Sequence, residues 1–149
     1  SIASVLHDFS RHFKHGGRFH GEKETEKIKE FLEKIGIEKR KIDLILKCIK
    51  EHSHKKKKSS LPVEAKIVSD ADSLAGFGIE GLIRISMYAG ERNKDIHYVI
   101  KKLCKDMRER EKNLYFSKSK KIAKKLNRKL RKIHEMLCKN HAEMIKLKI

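Results

Sequence analysis

Apolar residues recur at helical spacing along most of this chain, and that recurrence constrains the fold more than any other feature. In "EKETEKIKEFLEKIG", Ile28, Phe31, Leu32 and Ile35 fall at i, i+3, i+4 and i+7. "EKRKIDLILKCIKEH" repeats the pattern with Ile42, Ile45, Leu46 and Ile49. This spacing puts each set on one face of an α-helix, whereas a half-buried strand needs alternation. Convincing alternation occurs nowhere, and there is no internal repeat. The expected fold class is all-α.

The breaks between helices follow from local residues. "SIASVLHD" reads as the end of an apolar helix, and residues 9–20 as a polar loop holding "HGG". Gly36 stops the next helix. "SHKKKKSS" is a basic loop, after which Pro62 stands where a first helical turn tolerates it. A helix is expected from about residue 63 to 75, then an interruption at "GFG", then an apolar helix over "IEGLIRISMYA". Beyond "GERNKD" the chain turns Lys-rich, with long helices expected over 97–111 and 118–146. Ile122, Leu126, Leu130, Ile133 and Leu137 form a stripe along the last of these, read as packing surface.

Charge narrows the partners. Lys and Arg number 38 against 20 Asp and Glu, a formal charge of +18. Such an excess attracts anions: nucleotides, phosphoesters, nucleic acid or acidic lipid. It also fits helices simply coated with Lys and Glu. Cys48, Cys104 and Cys138 are odd in number, far apart and without a CxxC pair, as expected of reduced thiols in a cytoplasmic protein. No apolar run approaches the ~18 residues of a membrane span, and nothing resembles a signal peptide.

One stretch demands a chemical explanation. "EAKIVSDADSL", residues 64–74, is an expected helix carrying two aspartates among apolar residues. At about 100° per residue, Leu61, Ala65, Val68, Asp72 and Ala75 share a face, and Asp70 lies about 200° from Asp72. Helical spacing thus places Asp72 inward and Asp70 on the other side. A buried carboxylate without a partner costs several kcal/mol or is protonated. A salt bridge, a helix cap or a metal ion would each supply the partner. Elsewhere the adjacent pair His7–Asp8 closes an apolar helix, His20 precedes an acidic helix start, and His52 closes another helix.

Taken together these elements resemble the HD-domain superfamily of metal-dependent phosphohydrolases. The order is an apolar helix ending in "LHD", then "HGE", a helical hairpin, "EHS", and "PVEAKIVSDADSLAGFGIEGLIR". The last stretch looks especially like small HD hydrolases whose helix reads "EAKIVxDADxL". The resemblance spans about residues 1–90 and, more loosely, the C-terminal helices.

The resemblance implies an HD-domain-like helical bundle. Residues 1–90 would be its core, lacking the first helices, and residues 91–149 a Lys-rich helical extension packed on that core. His7, Asp8 and Asp72 would bind a divalent metal. Mixed imidazole and carboxylate ligands suit Mn, Fe, Co, Ni or Zn better than Mg. Asp70 matches an accessory acidic residue. His20 and His52 match histidines that hold a second metal or the substrate phosphate, and Arg11 suits a phosphate oxygen. The implied catalytic set is Asp8, His20 and His52, acting on an anionic phosphorylated small molecule.

The family's first metal ligand is a histidine well upstream of the doublet. Only six residues precede His7, and none is His. The chain is therefore expected to be an N-terminally truncated piece of a longer protein. The alternative reading is a basic helical module that binds nucleic acid or regulates, with a vestigial HD site. It relies on the net charge and "KSKKIAKKLNRKLRK", and the scarcity of aromatics for base stacking counts against it.

Overall fold

A computed structural model of the protein describes residues 2–6, 22–52 and 60–146. Among these residues there are helices and no strand: α1 (Ile2–Leu6), α2 (Glu22–Lys34), α3 (Lys39–Glu51), α4 (Val63–Leu74), α5 (Gly78–Glu91), α6 (Ile96–Asn113) and α7 (Ser117–Lys146). The all-α expectation holds, and most helix limits fall within two residues of those read from periodicity. The chain forms two compact units, Ser1–Ser69 and Asp70–Ile149.

In the first unit α3 packs against α1 and α2. Its core is Ile28 and Leu32 of α2 with Ile42, Leu46 and Ile49 of α3, joined by half-buried Leu6, Ile37 and Ile45. The predicted α2 stripe is corrected here. Ile28 and Leu32 are buried, but Phe31 and Ile35 are each 53% exposed, and Thr25 is buried instead. The covered strip is the narrower 25–28–32 line, because α2 meets its neighbour along one seam.

The end of α2 shows why Gly36 stops it. Ile37 N–H donates to the Leu32 carbonyl and Gly36 N–H to the Glu33 carbonyl, both at 3.0 Å. This 6→1 and 5→2 pairing needs a left-handed residue between, and Gly36 has φ +77°. Ile37 then packs back on the cluster that holds Leu32.

In the second unit α5, α6 and α7 pack pairwise on one another. Leu103, Met107 and Leu130 form one cluster, with Leu82 and Ile85 against it. Phe77, Leu114 and Ala123 form another, with Leu74 and Leu126. Gly81 permits the tight turn into α5, since a Cβ there would overlap the Gly76 carbonyl. Asp95 caps α6 by accepting from Tyr98 N–H at 2.9 Å. The predicted α7 stripe is rotated in the fold: Leu130, Ala123 and Asn127 are fully buried, while Ile122 is 41% exposed. Asn127 Nδ2 donates to the Met107 carbonyl across the α6–α7 seam at a long 3.5 Å, while its buried Oδ1 meets no donor among the described residues.

Candidate functional site

Two of the predicted site residues, His52 and Asp72, are described; His7, Asp8, Arg11 and His20 lie outside the described residues. So does the Lys55–Lys58 run. Among the described residues, no group of three or more His, Cys, Asp or Glu side chains converges on a point where a metal could sit.

His52 closes α3 with helical backbone angles, φ −64° and ψ −32°, and its N–H donates to the Cys48 carbonyl. Its Nδ1 lies 2.6 Å from the Ile49 carbonyl oxygen. A carbonyl only accepts, so Nδ1 carries the proton. In the neutral ring, that leaves the lone pair on Nε2. This backbone contact is the common way a protein sets the tautomer of a histidine that ligates a metal or accepts a proton.

On α4, Leu61, Ala65 and Val68 are buried as the helical wheel predicts. Asp72, one turn beyond Val68, is half-buried. Asp70 differs from expectation: it is only 3% exposed, the more buried of the two carboxylates. Its Oδ1 accepts from Tyr115 N–H at 2.8 Å and its Oδ2 from Phe116 N–H at 3.0 Å. Tyr115 and Phe116 lead directly into α7, whose first turn contains no acidic residue. Asp70 thus supplies from 45 residues away the anion that a helix N-terminus favours. The wheel separated the two aspartates correctly, but it carries no information on how many sides of α4 are covered. With both oxygens engaged by backbone donors, Asp70 is a structural carboxylate.

A second buried carboxylate of this unit is structural too. Asp106 is 7% exposed and lies between Lys102 and the Arg110 Nε, 3.6 Å away. The Arg110 guanidinium in turn packs over Gly76. In the first unit, burial pushes the Cys48 thiol above its ordinary range, and the nearby Glu64 carboxylate adds to the shift. All three cysteines are free thiols.

Sequence reasoning did not foresee a hollow of about 330 Å³ in the second unit, lined by Ile96, Leu137, Asn140, His141, Met144 and Ile145. It is largely apolar, and no predicted site residue lines it. His97 stands beside it, its ring centroid 6.0 Å from that of His141. His134 is half-buried and donates through Nε2 to the Ile100 carbonyl.

The architecture is that of an all-α helical domain with no helix, among the described residues, long and apolar enough to cross a membrane. Among solved structures it is similar to the crystal structure of Bacillus subtilis YpgQ in complex with ADP. The TM-score is 0.71 at 20% sequence identity, covering 93% of this chain and 71% of that one. At that identity the likeness establishes a shared fold. No family model matches the chain, and no curated protein matches it.

Proposed function

We propose that this protein is a metal-dependent phosphohydrolase of the HD type that hydrolyses a nucleotide or another small phosphoester. One observation carries the reading: the chain holding the His7–Asp8 and Asp70–Asp72 motifs is similar in fold, over 93% of its length, to a protein crystallised with ADP. His7, Asp8 and Asp72 would hold the divalent ion, their imidazole and carboxylate donors suiting Mn, Fe, Co, Ni or Zn. When bound, such an ion supplies acidity to a coordinated water and polarises a phosphoryl oxygen.

The protein's own groups have distinct tasks in this reading. Asp8 orients the attacking water and takes its proton on a carboxylate oxygen. Arg11 and His20 neutralise charge that builds on the phosphoryl oxygens. The Nδ1–H bond of His52 to Ile49 holds its ring with Nε2 as the functional nitrogen. Asp70 keeps the start of α7 in place and takes no part in the reaction.

The test is phosphate release from ADP and from a generic phosphoester by the full chain with Mn²⁺ or Co²⁺. Activity that disappears in His7→Ala and in Asp72→Ala, with helicity retained, is the expected result. Full activity in either variant overturns the assignment of the site.

A further inference from the structure

The positive charge of this chain is concentrated in one helix. Nine of the sixteen residues from Ser117 to Lys132 are Lys or Arg and none is Asp or Glu, so this segment carries half of the +18. By contrast α2, "EKETEKIKEFLEK", mixes five Glu with four Lys. All nine cations except the half-buried Lys120 are exposed. On α6 three of the six cations find partners: Lys102 and Arg110 pair with Asp106, and Lys105 with Glu109. Among the described residues no carboxylate pairs with any of the nine on α7. Like charges also stand one turn apart at Lys121–Lys125, Lys124–Arg128, Lys125–Lys129 and Arg128–Lys132. Each such pair disfavours the helix by a few tenths of a kcal/mol. A helix selected only for solubility would place Glu at some of these positions, as α2 does.

The arrangement has a shape as well as a charge. At about 100° per residue the nine cations cover roughly half of the circumference of α7. The other half holds the buried Ala123, Asn127 and Leu130. Lys118 to Lys132 extends about 21 Å at 1.5 Å per residue. That equals about six base pairs of a duplex at 3.4 Å each. An α-helix is about 10–12 Å across. The major groove of B-form DNA is about 12 Å wide and admits one. A half-cylinder of cations would meet phosphates on both walls of that groove. The deep, narrow major groove of duplex RNA does not admit a helix. A membrane surface fits less well, because the apolar half of α7 is committed to α5 and α6 and cannot enter lipid. Single strands are bound through aromatic platforms, and aromatics make up only 6% of this chain.

We propose that the cationic half of α7 is a docking ridge for duplex DNA, seated in the major groove and held by phosphates without regard to base sequence. The experiment is fluorescence anisotropy of the full chain with a labelled 24-base-pair duplex, titrated from about 50 to 200 mM salt. Contact with four to six phosphates gives a slope of log K against log salt of about −4 to −5. Replacing Lys121, Lys125, Arg128 and Lys132 together by Gln, all exposed positions, is expected to flatten the slope by about 3 to 4 and to weaken binding about 10³-fold near 100 mM salt. Circular dichroism checks that the helices persist, and the double variant Lys125→Gln with Arg128→Gln gives a smaller loss in the same direction. A control with Lys34, Arg40, Lys47 and Lys50 changed to Gln, on α2 and α3, keeps most of the affinity. The proposal is overturned by salt-insensitive or undetectable binding, or by equal losses in the α7 and control variants. It is also overturned by binding to duplex RNA, single-stranded DNA or phosphatidylserine vesicles as tight as to duplex DNA. These readouts are independent of phosphate release, so this surface and the hydrolytic site stand or fall separately.

Discussion

Replacing Asp70 by Ala tests the account of α4 and α7 most directly. The carboxylate is buried and takes two backbone donors, Tyr115 N–H at 2.8 Å and Phe116 N–H at 3.0 Å. Alanine removes both acceptors and leaves two donors that water reaches poorly, at about 1–3 kcal/mol each. The N-terminus of α7 also loses its anion, worth about 0.3–1 kcal/mol. The expected loss is about 3–5 kcal/mol, a large share of the ~5–15 kcal/mol that holds a typical domain. Asparagine keeps one acceptor but turns an NH₂ toward the other donor, so Asp70→Asn falls between, near ~2 kcal/mol. Urea unfolding followed by circular dichroism measures the loss. Hydrogen exchange locates it, because the Tyr115 and Phe116 amides should lose protection before those of α7. An Asp70→Ala variant within about 0.5 kcal/mol of the parent, the range of ordinary surface changes, would refute the structural role. Unchanged exchange at those two amides would do the same.

Other predictions concern packing and pH. Gly81→Ala drives a Cβ into the Gly76 carbonyl and is expected to cost about 1–3 kcal/mol in a thermal melt, while Gly76→Ala meets only the flexible Arg110 guanidinium and costs less. Leu32→Ala, at a fully buried position, should lose about 2–5 kcal/mol; Phe31→Ala, more than half exposed, should stay near the parent, and urea midpoints distinguish the two. Because burial raises the folded Cys48 pKa, its stabilising effect is whole below the ordinary thiol range, near pH ~8.5, and is lost as pH climbs toward the folded value. Urea midpoints at pH 7 and pH 10 should therefore fall further for the parent than for Cys48→Ala. At neutral pH a thiol reagent should label Cys104 and Cys138 before the buried Cys48.

Much of the secondary structure was legible in the sequence because helix formation is local. The i, i+3, i+4, i+7 spacing marked α2 and α3, and Gly36 ended α2 for a backbone reason that holds in any context. The proposed site rests on motifs, His7–Asp8 and the aspartate pair of α4, that the family resemblance rather than residue type alone singles out. Burial was less legible. Periodicity reports which residues share a face but not how wide a covered face is, so Phe31 and Ile35 belong to the apolar stripe of α2 and yet are each about half exposed. The same limit decided the two aspartates. By itself the sequence determined an all-α chain, a helix bearing Asp70 and Asp72 on different sides, and a cationic half of α7. Only the tertiary structure decided that Asp70 is the deeper carboxylate, since its partners, the N–H groups of Tyr115 and Phe116, lie far away in sequence. A helical wheel cannot see a donor that another part of the chain brings, and burying a charge is favourable only where such donors meet it.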